Sequence, residues 1–256
     1  MKKLAKYLKP YTGWILICMV LLFAQAICEL NLPNLMSDIV NVGLQQGGIE
    51  ESAPRVLSAK GMQLLTPFVD ETDRTALNDG YTTENFSDKL QEEFPDAVPG
   101  EVYVLSEEKE KREAAEEAYS HASAAMLRFF QSIAQQNGEE LNLSDSDASA
   151  SMDFDAIYEM LPTILQMPEQ AFSEAIDSSA DMDPSLSSQI GIVLTKGCYE
   201  ELGADMEAMQ NNYIIRTGIL MIGVTLLSAV AAVLIGLLAA RIAAGGARTL
   251  RRDLFS

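Results

Sequence analysis

The chain contains little of the chemistry on which most catalytic and metal sites depend. It has one histidine, His121, and only three cysteines among 256 residues. Zinc sites and catalytic triads need several such side chains together, so neither is expected. The GxxxxGK[ST] phosphate-binding loop is also missing, so ATP hydrolysis by that mechanism is not expected of these residues. No catalytic residue, cofactor site or metal site is predicted.

The cysteines also exclude a disulfide framework. Cys18 and Cys28 lie ten residues apart on one expected helix, where they cannot meet, and Cys198 stands alone in the middle of the sequence. The middle of the chain must therefore be stabilised by its own hydrophobic core, for which about 160 residues are enough.

Charge divides the chain into three parts. Residues 1–30 carry a net charge of +3, residues 31–212 carry −26, and residues 213–256 carry +4. An acidic surface repels phosphates, so nucleic acid is not expected as a partner. The acidic middle is either a solvated surface or a surface that attracts cations.

The last part contains a long apolar segment. From Thr217 to Ala240 there are 24 residues without a charge. A helix of that length spans about 36 Å, enough to cross a bilayer core of about 30 Å and too long for an ordinary core helix of a soluble protein. Positive charge marks the cytoplasmic end of such a helix. Four arginines follow the segment: Arg241, Arg248, Arg251 and Arg252.

The first part allows two interpretations. Residues 1–9 include four lysines and precede the apolar run Trp14–Cys28, as in a transmembrane helix or a signal peptide. Ala24–Ala26 resembles a signal-peptide cleavage site, so a secreted protein cleaved after Ala26 stays open. Apolar residues continue at helical spacing over Leu32–Val42, which favours a helix that projects beyond the membrane, with a kink at Pro33.

The predicted fold class is all-α, with two transmembrane helices flanking a helical extracytoplasmic domain. Residues 1–50 form the cytoplasmic basic start and the first transmembrane helix with its exterior extension. Residues 51–204 form the acidic extracytoplasmic domain, and residues 205–256 form the second transmembrane helix with a cytoplasmic extension. Both ends are then cytoplasmic, and the chain lies in the plasma membrane. Val102–Leu105 is too short to support a sheet by itself.

The clearest helix of the middle region is predicted over Ser106–Asn137. Ser106 is suited to cap it and Gly138 to end it. Its apolar stripe fits a domain core better than a ligand pocket. The stripe comprises Ala115, Ala118, Tyr119, Ala122, Met126, Phe129, Phe130 and Ile133.

Other helix boundaries carry clear signals. Asp183 before Pro184 predicts a helix start, and Leu186, Ile190, Val193 and Leu194 are expected to line that helix. Gly203 is expected to end it, and Asp205 to begin the helix that becomes the second span. The segment Asp145–Ser149 has the spacing of a calcium loop, but alanine replaces its glycine and its final glutamate, so no calcium site is predicted.

Two charged residues near the predicted membrane are candidate site residues. Glu29 follows the first apolar run, about 27 Å along the helix if the span begins near Tyr11. It is either an interfacial carboxylate or a cation-contacting group in a translocation cavity. Arg216 lies at the outer end of the second span, where it snorkels to the interface or serves transport. Small residues of that span, among them Gly223, Ser228 and Gly236, predict close packing against other helices.

Three stretches resemble the first two transmembrane helices of bacterial ABC exporters of the multidrug-exporter-like type. They are Lys6–Leu22 (KYLKPYTGWILICMVLL), Leu32–Gly43 (LPNLMSDIVNVG) and Asn212–Phe255. The last ends in RRDLF, and the resemblance implies that Arg251, Arg252 and Phe255 approach the first coupling helix. Unlike the family, this chain carries the long insertion 51–204 between the two helices.

The resemblance implies that the chain is the N-terminal fragment of an ATP-driven exporter of a drug, lipid or peptide. ATP and Mg²⁺ are then bound by the rest of the complete protein. Its partners are the membrane, the remaining helices, the nucleotide-binding domain and a second half-transporter subunit, identical or different. The alternative is a two-span membrane sensor or polymer chain-length regulator with an exterior ligand-binding domain.

Overall fold

The first and the last helix of the described part of the chain are long and apolar. The computed structural model describes residues 12–83, 87–98, 101–137, 154–168 and 170–254. The predicted all-α class is confirmed for this part of the chain. The helices are α1 (Thr12–Asp38), α2 (Ala59–Leu65), α3 (Glu71–Gly80), α4 (Asp88–Glu93), α5 (Lys109–Asn137), α6 (Phe154–Ile164), α7 (Gln170–Ala180), α8 (Pro184–Glu201) and α9 (Met206–Leu254).

The chain divides into two units. One, here called the helix pair, comprises Met1–Leu44 and Asn212–Ser256, and the other, the inserted domain, comprises Gln45–Asn211. These boundaries lie outside the predicted limits of 51 and 204. The reason is that Ile49 and Met209 pack against a core of the inserted domain, so the connecting segments belong to it.

The helix pair contains the two apolar helices expected from the sequence. Thr12–Gln45 and Met206–Arg248 are long and apolar enough to cross a membrane by length and composition. The first consists of α1, which contains Pro33, followed by a π-helical segment, Ile39–Gln45. The helical continuation beyond Cys28 that the spacing predicted is therefore present.

The two helices pack along a seam with coiled-coil spacing. Partly or fully buried residues recur at alternating steps of three and four on both helices, which is the spacing of a left-handed helix pair. At Gly43 an added Cβ would lie 2.9 Å from Ile214 Cγ1, so glycine permits the close approach there. On α1 the seam residues are Cys18, Leu21, Gln25, Cys28, Leu32, Leu35, Ile39 and Val42; on α9 they are Thr217, Met221, Val224, Ser228, Ala231, Ile235, Leu238, Ile242 and Gly245.

The main core of the inserted domain surrounds α5. This helix begins at Lys109, three residues after the predicted start, while the Ser106 hydroxyl accepts a hydrogen bond from the Glu108 N–H. The predicted apolar stripe is confirmed as core, since Tyr119 and its alanine neighbours are fully buried and Phe130 and Ile133 are partly buried. Gly138 and the calcium-like segment Asp145–Ser149 lie outside the described residues.

A small sheet and a second core complete the inserted domain. Strand β3 (Val102–Leu105) lies between β1 (Val56–Ser58) and β2 (Tyr81–Thr82), and both pairings are antiparallel. Val102–Leu105 is thus stabilised by strands that lie far from it in sequence. Under the sheet, Phe94 and Tyr199 pack with ring centroids 4.9 Å apart.

Helix caps fall where the sequence placed them. Asp183 accepts a hydrogen bond from the Ser185 N–H at the start of α8, with Pro184 in the first turn. Gly203 adopts a φ of 75°, which favours glycine, directly after α8. Asp205 then accepts from the Ala208 N–H at 2.9 Å, at the start of α9. These local signals fix where α8 ends and where α9 begins.

The buried face of α8 differs from the prediction. Leu194 is buried as predicted, but Leu186 is exposed, and Ile190 and Val193 are only partly buried. Small and polar residues are buried as well, among them Ser187, Gly191 and Thr195. At Gly191 an added Cβ would lie 3.1 Å from Ser52 Cβ. The close approach of Ser52 leaves no room for a larger side chain at Gly191, so an apolar stripe describes only part of the buried face.

Candidate functional site

The Glu29 carboxylate lies beside the seam of the helix pair. Its Oε1 atom accepts a hydrogen bond of 2.8 Å from Gln25 Nε2, one turn earlier on α1. The Ser228 hydroxyl of α9 donates to the same atom at 3.5 Å. Gln25 and Ser228 are seam residues, whereas Glu29 itself is exposed at the flank. Among the described residues, Glu29 forms no ion pair.

The Glu29–Ser228 contact also fixes the register of the helices. Gly43 follows Glu29 by fourteen residues and lies against Ile214, which precedes Ser228 by fourteen residues, so the helices run antiparallel. Ser228 stands at the middle of the uncharged run that begins at Thr217. Glu29 therefore ends the apolar run of its own helix but is level with the centre of the apolar run of the other.

This stagger places a charged residue inside any bilayer that covers the pair. The levels at which both helices are uncharged extend only from Ser228 to Arg241 on α9. Thirteen residues of helix span about 20 Å, less than the hydrocarbon core of about 30 Å. Glu29, Arg241 or both must then lie at hydrocarbon depth. Arginine reaches the interface with its long stem, whereas the shorter glutamate reaches less far.

Arg216 does not join Glu29. It is exposed on α9, twelve residues before Ser228, which corresponds to about 18 Å along the helix axis. A joint site of the two predicted residues is therefore not formed within the helix pair, and the possible transport role of Arg216 stays a prediction.

The predicted approach to a coupling helix also stays a prediction. Arg251 is exposed in the last turns of α9, and Arg252 lies in the same helix. The side chain of Arg252 and the whole of Phe255 lie outside the described residues, as do the lysines of residues 1–9.

The inserted domain has a polar groove that the sequence did not reveal. It lies between α5 and α8 with a volume of about 310 Å³. Burial and the neighbouring Glu51 raise the pKa of Glu116 in this groove, while Arg112 opposes the shift. His121 lies at the rim, with Nδ1 3.0 Å from Asp73 Oδ2. The lining residues are Ser52, Glu113, Glu116, Glu117, Ser120, His121, Pro184, Ser187 and Ser188.

Metal binding is not supported in this groove. Its carboxylates come mostly from successive turns of α5, and no group of three potential ligands with metal-binding geometry occurs among the described residues. The four serines that line the groove come from three separate segments: around residue 52, on α5 and at the start of α8. The arrangement suits a solvated polar surface, and serines scattered along a sequence carry no pattern from which the groove could be predicted.

Next to the groove, a connecting segment is fixed by buried hydrogen bonds. Thr195 Oγ1 donates to the Ser52 carbonyl at 2.5 Å, and Tyr81 Oη donates to the Pro54 carbonyl at 2.7 Å. The Arg55 N–H donates to Tyr199 Oη at 2.8 Å. Residues 52–55, here called the buried strap, are therefore anchored to α8 and to Tyr81; residues 52–54 are buried and Arg55 is exposed.

Comparison with known proteins provides no relative. No family model, curated protein or solved structure matches this chain. Function must therefore be inferred from the residues and from the geometry described above.

Proposed function

We propose that the chain is the N-terminal part of the transmembrane domain of an ABC-type exporter. In this proposal the helix pair helps to form the pathway for ATP-driven export of a drug, lipid or peptide. The observation that carries it is the antiparallel packing of two apolar helices, with basic residues before the first and at the end of the second in the sequence. Lysines precede α1 and arginines end α9, so the positive-inside rule assigns both to the cytoplasm. The inserted domain, including residues 51–204, is then extracytoplasmic.

Exposed apolar side chains support a membrane location. Met19, Phe23 and Leu30 of α1 and Ile219 and Val233 of α9 have more than half of their surface exposed. Each buried side chain of this size contributes about 1.5–3 kcal/mol when removed from water, so leaving many exposed in water would be costly. A bilayer and further helices remove this cost together.

The resemblance supplies the exporter part of the proposal. All three stretches of the resemblance belong to the helix pair: Lys6–Leu22, Leu32–Gly43 and Asn212–Phe255. The inserted domain separates the first two from the third. In the proposed assembly, the remaining helices complete the membrane domain, and a nucleotide-binding domain binds ATP and Mg²⁺. A second subunit completes the transporter. Glu29 then contributes to the pathway or to its interfaces.

Topology is tested by cysteine accessibility. In a background with Cys18→Ser, Cys28→Ser and Cys198→Ala, single cysteines are introduced as Glu174→Cys in the inserted domain and Arg251→Cys on α9. Both positions are exposed. A membrane-impermeant maleimide should label Glu174→Cys in intact cells and Arg251→Cys only after permeabilisation. Equal labelling of both positions in intact cells would contradict the topology.

Export is tested on the complete gene product. The reading frame should continue into further membrane spans and a phosphate-binding loop, and the purified product should hydrolyse ATP. Replacing the lysine of that loop should abolish hydrolysis. A stop codon directly after Ser256 would exclude the exporter proposal.

A second candidate, the two-span sensor or chain-length regulator, is favoured by the independence of the inserted domain. That domain has two core clusters of its own and a polar groove. A cytoplasmic signalling module after Ser256, in place of transporter helices, would establish this alternative.

A further inference from the structure

Glu29 is a carboxylate that lies level with the apolar run of α9, without a counter-charge in the described part of the helix pair. The register puts it level with Ser228, at the middle of the uncharged run of α9. The cations of α9 that flank this level, Arg216 and Arg241, are twelve and thirteen residues away, or about 18–20 Å along the axis. Neither arginine forms an ion pair with Glu29, and no other described residue does.

The hydrogen bonds of Glu29 leave part of its carboxylate open. Gln25 and Ser228 both donate to Oε1. An ionised carboxylate only accepts hydrogen bonds and has acceptor sites on both oxygens. The side chain is exposed at the flank of the seam, so Oε2 is accessible from outside the pair.

The side chains around Glu29 indicate that the partner covering this surface is a helix. Leu30, next to Glu29, is 73% exposed, Phe23 is 70% exposed, and Leu226 and Leu227 of α9 are about 60% exposed. A partner that covers this surface must therefore offer apolar area above and below one positive charge. A transmembrane helix with a central arginine or lysine has this composition, and charged residues inside membranes normally pair with one another.

We infer that the flank of the helix pair at Glu29 is a docking surface for a transmembrane helix that carries an arginine or lysine at the depth of Ser228. Arginine suits the site best, because its fork of N–H donors can bind Oε2 and share Oε1 with Gln25. The inference rests on the chain crossing a bilayer, which is part of the proposed function, and it is independent of ATP hydrolysis and export.

The test measures energy transfer between the complete 256-residue chain and synthetic helices in phosphatidylcholine vesicles. The donor dye is attached to Leu22→Cys in a background with Cys18→Ser and Cys28→Ser. Burial raises the pKa of Cys198 to about 12, so this thiol does not compete for a maleimide. The acceptor peptides are leucine–alanine helices of about 20 residues with a central arginine, glutamine or leucine. Oriented circular dichroism first establishes that the chain spans the bilayer.

The arginine peptide should associate about tenfold more tightly than the leucine peptide, as expected for an interhelical polar contact of about 1–2 kcal/mol. Glu29→Gln, which keeps the shape of the side chain, should abolish this preference, and Glu29→Asp should keep most of it. Asp38→Asn is the matched control, since Asp38 is also an exposed carboxylate of α1 but lies two and a half turns away. It should leave the preference unchanged.

Three results would overturn the inference. In the first, Glu29→Gln retains the preference for the arginine peptide. In the second, wild-type chain binds arginine and leucine peptides equally. In the third, tetraphenylphosphonium displaces the arginine peptide and binds in a Glu29-dependent manner, which would assign the site to a small lipophilic cation. A chain that fails to span the bilayer would show instead that the proposed function is wrong, so the two failures are distinguishable.

Discussion

The inserted domain buries most of its large apolar side chains, whereas the helix pair leaves many of them exposed. In the inserted domain, Phe68 is 1% exposed and its ring packs edge-on against Phe129 and Phe172, with centroids 5.3 and 5.2 Å away. In the helix pair, Phe23 is 70% exposed. The difference shows that the inserted domain has a core of its own, whereas the helix pair leaves large apolar side chains exposed.

The largest expected difference between the two units is in the loss of unfolding free energy when one of these phenylalanines is replaced. Phe68→Ala should cost about 3–5 kcal/mol of unfolding free energy, because it leaves a cavity between two other rings. Phe23→Ala should change the stability of the inserted domain by less than about 0.5 kcal/mol. Urea unfolding of the chain in nanodiscs, followed by the near-ultraviolet circular dichroism of the tyrosines, measures both. Similar losses in the two variants would show that the units are not independent.

Glycines provide the next comparison. At Gly80 an added Cβ would lie 2.4 Å from Ala115 Cβ, so Gly80→Ala should force α3 away from α5 and cost about 1–3 kcal/mol. At Gly236 nothing lies within 4 Å of an added Cβ, and Gly236→Ala should stabilise the helix by up to about 1 kcal/mol. Thermal unfolding should show a lower midpoint for the first variant only. A lower midpoint for Gly236→Ala would reveal a close helix contact that the pair itself does not make.

Removing a threonine hydroxyl should also destabilise the inserted domain more than the helix pair, by a smaller amount. Thr195→Val should leave the buried Ser52 carbonyl without its donor, at a cost of about 1–2 kcal/mol. Thr225→Val removes only a hydrogen bond to the Met221 carbonyl on an exposed helix face and should cost almost nothing. Hydrogen exchange at residues 52–55 should accelerate in Thr195→Val alone. Unchanged exchange would mean that the strap is fixed by packing rather than by this hydrogen bond.

The smallest effect concerns pH. Burial and the charge of Glu51 raise the pKa of Glu116, so the folded state binds a proton more readily than the unfolded state, and this group destabilises the fold as pH rises. Glu116→Gln should raise the thermal midpoint at pH 7, and its advantage should shrink as pH falls towards 4. Partial exposure limits the gain to below about 1 kcal/mol. An equal advantage of Glu116→Gln at pH 4 and at pH 7 would contradict this explanation.

Local sequence signals predicted much of the helical fold. The caps at Asp183 and Asp205, the break at Gly203 and the buried stripe of α5 all depend on residues within one or two turns of each other. The length of the apolar run in α9 likewise needs no tertiary information. Such features follow from backbone geometry and periodicity, which a single sequence contains.

Features that depend on distant pairing could not be predicted. The sheet unites short strands around residues 56, 81 and 103, none of which is stable alone. Gly191 and Thr195 are buried in α8 where Ser52 packs against the helix, and the periodicity of α8 does not predict that contact. For the candidate site, the sequence identified Glu29, but its depth depends on the register against Ser228, which neither helix specifies by itself.

The buried strap has a consequence for the time course of synthesis. The Ser52 carbonyl is bound by a hydroxyl 143 residues later, and the Arg55 N–H by one 144 residues later. Ribosomes add about 5–20 residues per second, so residues 52–55 wait about 7–30 s for their partners after they emerge. During that interval α1 is already made while its antiparallel partner is not. The carboxyl-terminal half of α8 is therefore the segment whose synthesis allows residues 52–55 to form these hydrogen bonds, just before α9 is translated.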